Sequence, residues 1–282
     1  MSIILGFEIP TELAVWATVF AFGLGTIIGS FLNVYIYRFH TGKSLSGNSH
    51  CLSCGATLKW FELFPVLSYL GIRGHCRHCN CRVPVRYFLV ELLTGFLFLL
   101  TLTITPVISE IILLWFLVSV LVVILVYDFY HFIIPDSLTI TLLVGTILLY
   151  GLEVINGTKA LDSINLDIMA AVAGSGFFLF LWLISRGKWL GFGDVKLVFP
   201  LGLLVGAASV FSFIVLSFWI GAIVSLLILG FQYLKRGKSH LRLLSTALTM
   251  KSAVPFAPFL IAGAMVTFFA KINVLTFFYF TL

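Results

Sequence analysis

Leu117-Val118-Ser119-Val120-Leu121-Val122-Val123-Ile124-Leu125-Val126-Tyr127-Asp128-Phe129-Tyr130-His131-Phe132-Ile133-Ile134-Pro135-Asp136 is the stretch on which the reading of the fold turns. It closes an apolar run that starts at residue 109, long enough to cross hydrocarbon as a helix, and it ends on an acid. Composition decides between a membrane and a soluble core. With 61% hydrophobic, 16% aromatic and 10% charged residues and a mean hydropathy of +1.14, the 282-residue chain has too little polar surface to coat a soluble domain. The bilayer is its solvent. Apolar runs recur at 12–37, 87–106, 109–127, 137–155, 166–185, 197–209, 210–234 and 254–276. The expectation is an all-α polytopic membrane protein with about eight transmembrane helices. The sixth and seventh are separated only by Gly206-Ala207-Ala208-Ser209.

Glu8 and Glu12 precede the first run and no Lys or Arg does, so the N-terminus lacks the positive region of a cleavable signal and is read as a retained helix. Lys and Arg then set the orientation. Seven lie in 38–86, three in 186–196 and five in 235–251, against Lys159 and Lys271 in the opposite set of loops and ends. The basic loops are therefore expected in the cytosol, with both termini outside. The net charge of +6 reads as a topology signal and not as a nucleic-acid footprint.

Three regions follow: helix one over 1–37, a polar cytosolic insertion over 38–86, and a seven-helix membrane domain over 87–282. The insertion contains Cys51-x-x-Cys54 and Cys76-x-x-Cys79. Two such turns supply four soft thiolates to one tetrahedral ion, and a reducing compartment argues against disulfides, so a structural zinc site is expected. It would fold a segment of about 50 residues that has little apolar surface to bury. Cys81 is left over, and His50, His75 and His78 lie nearby as solvated histidines or substitute ligands.

Few ionisable groups remain near the hydrocarbon. Asp128 ends the third run, and Asp194 sits in Gly191-Phe192-Gly193-Asp194-Val195-Lys196-Leu197, a glycine turn opening the sixth. Two crossings separate them, so both emerge on one face and can meet. Paired carboxylates share a proton, one serving as base on a water and the other hydrogen-bonding a carbonyl, which is aspartic-protease chemistry requiring no metal. Gly191 and Gly193 are expected to allow unusual backbone angles and close approach. Taken singly, each aspartate also reads as an ordinary helix-end acid. Asp136 after Pro135 fits an N-cap, and His131, one turn from Asp128, could tune it.

In order along the chain, Gly29-Ser30-Phe31-Leu32-Asn33-Val34, Arg38, the Cys pairs, Pro65-Val66-Leu67-Ser68-Tyr69-Leu70, Arg86-Tyr87, Val90-Glu91, both aspartate motifs and Pro255-Phe256-Ala257-Pro258-Phe259-Leu260 form a familiar series. The chain resembles the type IV prepilin leader peptidases, the bifunctional peptidase and N-methyltransferase family of the GxGD membrane aspartic proteases. The resemblance implies that Asp128 and Asp194 are catalytic, with Gly191, Gly193, Asp136 and Lys196 supporting the turn. It implies prepilins and pilin-like secretion or competence subunits as substrates, cut on the cytosolic side of a bacterial inner membrane. It also implies methylation of the new N-terminus from S-adenosylmethionine, with Glu62 a candidate participant, although the residue taken by itself reads first as a solvated surface acid. No Gly-rich nucleotide loop is present. Three departures, His40, Ala257 and Pro200, are expected to leave the aspartates untouched, Pro200 kinking its helix.

The competing classes are a transporter or channel, a zinc metalloprotease, and a non-catalytic pilus-assembly scaffold. The first is disfavoured by acids at the interface and by the lack of duplicated halves. The second is disfavoured by four thiolates that would close the metal shell and by the lack of H-E-x-x-H. Retention of both acids disfavours the third.

Overall fold

The computed structural model describes residues 2–4, 7–9, 11–39, 47, 49–51, 53–236 and 255–274. His40 and the basic residues Lys43, Lys238, Arg242 and Lys251 lie outside them. The elements run β1 (Ser2–Ile4), β2 (Phe7–Ile9), α1 (Thr11–Arg38), a 3-10 turn (Trp60–Glu62), α2 (Leu67–Gly71), α3 (Val85–Thr101), α4 (Ile108–His131), α5 (Asp136–Ile155), α6 (Leu161–Ser185), α7 (Phe192–Val205), α8 (Ala207–Arg236) and α9 (Ala257–Ala270).

The all-α expectation is borne out, with one small addition. β1 and β2 form an antiparallel hairpin ahead of α1, registering Ser2 with Ile9 and Ile4 with Phe7. The alternation that would announce strands is too short in three residues to read from sequence. Although the run over 197–209 crosses from α7 into α8 and the run over 87–106 continues past the end of α3, among the described residues these apolar runs lie on eight long helices. Five of these, Ala14–Arg38, Ile108–His131, Asp136–Ile155, Leu161–Ser185 and Ala207–Phe231, are long and apolar enough to cross a membrane. At 17, 14 and 14 residues, α3, α7 and α9 fall short of the roughly 20 that a perpendicular crossing needs. The break between α7 and α8 falls at Gly206, whose φ of 76° places it outside the helical region. The Ala207 amide, unpaired at the head of α8, donates to Asp167 Oδ1 at 2.6 Å, and Lys159 neutralises Asp167 at 2.7 Å.

The chain divides into two compact units, Met1–Val126 with Ile147–Thr158, and Tyr127–Thr146 with Lys159–Leu282. In the first, α1 and α3 approach closely through small residues. A Cβ on Gly25 would lie 2.7 Å from Gly95 Cα, and one on Gly29 2.8 Å from Glu91 Cα, so a small-xxx-small stripe brings the backbones together where lipid supplies no hydrophobic drive. Trp115 fixes α4 on α3 by stacking on Phe98 at 5.2 Å and donating to Thr101 Oγ1 at 2.8 Å.

In the second unit, α6, α7, α8 and α9 pack around Phe178, Phe213, Leu197, Leu201 and Leu260, all fully buried. Phe178 stacks on Phe218, and both meet the tilted ring of Phe256 at the head of α9. Ser175 Oγ donates to Val195 O at 3.1 Å and so ties α6 to α7, a helix that runs without a break from Phe192 to Val205 through Pro200.

Candidate active site

Asp128 belongs to the last turn of α4, which continues to His131 instead of ending at the expected residue 127. Asp194 lies in the first turn of α7. Their residues are only 5% and 6% exposed, and Asp194 is near enough to Asp128 to feel its charge. Carboxylates are seldom buried without hydrogen bonds, and each has a backbone donor here. The Gly191 amide donates to Asp194 Oδ2 at 3.1 Å, while the Asp194 amide donates to Gly191 O at 3.1 Å, so the turn and the acid hold each other. The Ala257 amide at the head of α9 donates to the Asp128 carboxylate. That corrects the expectation that Ala257 stands clear of the aspartates. The contact is made by backbone, and a side-chain difference at 257 leaves the donor in place. Asp128 Oδ2 is buried and has no hydrogen-bond partner among the described residues.

Of the two expectations for the glycines, unusual backbone angles are absent and close approach is present. Gly191 has φ −72° and Gly193 is not among the positive-φ glycines, so neither is needed for its backbone angles. Gly193 is needed for room: a Cβ there would sit 3.1 Å from Ile134 Cβ. This lets the Ile134-Pro135-Asp136 segment lie against the turn that carries Asp194. Asp136 does not fill the N-cap role. It is the first residue of α5, Pro135 supplies the carbonyl that Leu138 and Thr139 donate to, and the Asp136 carboxylate takes Lys196 Nζ at 2.8 Å. The pair is exposed and contributes at most about 1 kcal/mol, yet it ties the starts of α5 and α7 beside the two buried acids. Lys196 also lies 5.0 Å from the Phe192 ring. His131 stacks on Tyr127 at 4.4 Å.

The insertion in the first unit forms two matching knuckles. Cys51 N–H donates to Ala56 O and Gly55 N–H to Cys51 O; Cys76 N–H donates to Cys81 O and Asn80 N–H to Cys76 O, all at 2.9 Å. Gly55 and Asn80 occupy the same left-handed position in the two turns, at φ 72° and 56°. The Sγ atoms of Cys51, Cys54, Cys76 and Cys79 all lie within 4.8 Å of one another. Thiolates at about 2.3 Å from a tetrahedral zinc are about 3.8 Å apart, so modest closure brings all four onto one ion. Amide hydrogen bonds from Cys54 and Ser53 lower the Cys51 thiol to about 6, within reach of the thiolate a metal needs. The Cys79 thiol receives the Cys81 amide, which favours its thiolate, but the Cys81 thiol, burial, Cys54 and Cys76 outweigh it and push Cys79 up. Crowded thiols cannot all ionise without a cation among them. Cys81 Sγ lies 3.5 Å from Cys51 Sγ, beside the four.

Glu62 is not a solvated acid: its side chain is 6% exposed. Its Oε2 accepts from Lys59 N–H at 2.8 Å. Arg77 Nε is 4.0 Å from Oε1. Burial of this side chain depends on how the insertion folds back over α1 and α3, which composition does not record.

Two family models match, one for the bacterial peptidase A24 N-terminal domain over residues 24–105 and one for the type IV leader peptidase family over 115–226. The chain is similar to a prepilin leader peptidase/N-methyltransferase of Myxococcus xanthus, 36% identical over 217 residues that make up 75% of this chain and 63% of that relative. One of the same description from Burkholderia pseudomallei is 31% identical, covering 89% of this chain and 84% of the relative. A type 4 prepilin-like proteins leader peptide-processing enzyme of Escherichia coli is 30% identical over 94% and 96%. No solved structure matches the chain.

Proposed function

The chain belongs to the type IV leader peptidase family, and on that premise we propose that Asp128 and Asp194 are the catalytic pair of a membrane aspartic endopeptidase. The reading is that it removes the basic leader of type IV prepilins and pilin-like secretion or competence subunits, and then methylates the new N-terminus from S-adenosylmethionine. It places the enzyme in a bacterial inner membrane with eight crossings, the active site facing the cytosol and both termini outside. A zinc ion on Cys51, Cys54, Cys76 and Cys79 would brace the insertion, and no metal is assigned to proteolysis.

What carries this reading is the meeting of two buried acids from the end of one helix and the start of another, one of them with a buried oxygen that no described residue contacts. Asp128 Oδ2 is the base. It takes a proton from water while the oxygen attacks the scissile carbonyl carbon. The carbonyl oxygen receives a hydrogen bond and then the proton held by Asp194. Collapse of the tetrahedral species breaks the carbon–nitrogen bond and returns a proton to the leaving amine. The Ala257 and Gly191 amides hold the two carboxyls in orientation, and Lys196–Asp136 keeps the α5 and α7 starts together.

The test replaces each acid singly. Asp128→Asn and Asp194→Asn keep shape and remove the titrating group, so prepilin cleavage should fall by about 10³-fold or more with unchanged membrane levels. Undiminished processing in either variant overturns the pair.

A further inference from the structure

Asp136 is an exposed acid in basic surroundings. On the orientation proposed above, the acids of the cytosolic side are Glu62, Glu91, Asp128, Asp136 and Asp194, set against the Lys and Arg of 38–86, 186–196 and 235–251. Four of these acids are withdrawn from water: the Glu62 side chain is 6% exposed, and Glu91, Asp128 and Asp194 are buried. Asp136 projects, with 65% of its side chain exposed. A basic leader approaching this side is repelled by most of the charge it meets, and Asp136 is the accessible carboxylate on which it can settle.

Two contacts place that carboxylate beside the turn that carries Asp194. Ile134, on the segment leading into Asp136, lies against Gly193, where a Cβ would sit 3.1 Å from Ile134 Cβ. Lys196, in the turn that follows Asp194, donates from Nζ to Asp136 Oδ1 at 2.8 Å. Among the described residues no other ion pair reaches Asp136. The lysine is 39% exposed and has a second resting place, since its Nζ lies 5.0 Å from the centre of the Phe192 ring. An ion pair this open to water is weak, so another cation can exchange for Lys196. The packing of Ile134 on Gly193 is apolar and does not depend on which cation Asp136 holds.

We propose that Asp136 receives a Lys or Arg of the substrate's leader, and that Lys196 occupies it as an internal stand-in until the leader's cation displaces it onto Phe192. The assignment rests on the peptidase reading above and adds to it the residue that selects a basic leader. The contact holds the leader beside Asp128 and Asp194, and no covalent bond is made or broken in it. A leader without a cation leaves the Lys196 pair closed. Because the leader keeps its charge throughout the reaction, the contact acts on substrate binding and not on the chemical step.

The experiment uses the full-length enzyme in a non-ionic detergent, which removes the pull of anionic lipid on the leader. Its two substrates are a type IV prepilin and the same prepilin with the Lys and Arg of its leader replaced by Gln, and initial rates by intact mass give kcat and KM for each. In low salt the wild-type KM should be about fivefold higher for the neutral leader than for the basic one, the size of effect an exposed ion pair gives. Asp136→Asn should bring that ratio to about one, whereas Asp136→Glu, which keeps the charge, should hold it above one. Lys196→Met should move it the other way, because the competitor for Asp136 is gone. At about 1 M salt, where charges are screened beyond about 3 Å, the ratio should approach one for every enzyme. A pair that only braces α5 against α7 predicts that Asp136→Asn and Lys196→Met fail alike and by the same factor on both substrates. That result, or a wild-type KM indifferent to leader charge, overturns the assignment while the peptidase reading stands. If the wild-type enzyme cleaves neither substrate, the peptidase reading falls and this assignment falls with it.

Discussion

Asp128 and Asp194 are both buried and close enough to interact, and on the proposed reading the working pair holds one proton between them. Cleavage should therefore be bell-shaped in pH. At low pH both carboxyls are protonated and no base remains; at high pH both are ionised, no acid remains and they repel. A kcat/KM profile with a single limb would contradict the shared proton. Gly193 bears on the same pair through space. A Cβ there meets Ile134 Cβ at 3.1 Å, and Gly193→Val adds two further methyls. Overpacking of that kind costs about 1–3 kcal/mol, and displacing a catalytic group by about 1 Å lowers rate by about 10²-fold. The expected result is an enzyme at moderately reduced level whose kcat falls far more than its amount, measured by cleavage per immunoblotted enzyme.

Among the elements, the insertion depends most on something beyond its own chain. Among the described residues it contains two knuckles, a 3-10 turn and a five-residue helix, which is little apolar surface with which to offset ordering entropy. Purified enzyme should contain one zinc per chain by atomic absorption. Stripping it, or replacing Cys51 and Cys54 with Ser, should make residues 49–84 the first site of limited proteolysis and abolish methyl transfer. Protection unchanged after complete metal removal would show that the knuckles fold unaided. The knuckles were legible as paired Cys-x-x-Cys, because metal geometry writes itself into spacing. Burial of Glu62 was not legible, since a Lys59-Trp60-Phe61-Glu62 stretch looks the same whether its acid faces water or a cavity.

For the whole molecule, a substrate whose apolar stem stays in the bilayer presents its leader junction at a depth fixed by the membrane. Moving that junction by three residues, about 4.5 Å along a helix, should sharply reduce cleavage in a mass-based assay. Equal turnover of the shifted substrate would remove the membrane as ruler. The amino-acid sequence by itself determined the membrane class, the order of eight apolar helices, the break at Gly206 and the cysteine knuckles, because hydropathy, glycine and thiol spacing act over a few turns of chain. Only the tertiary structure decided that α9 presents its first amide to Asp128, that Gly193 serves Ile134, that Lys196 binds Asp136, and that Glu62 and Glu91 line one cavity. Each of those joins segments distant along the chain, and such contacts follow from how the helices pack and not from the residues on either side.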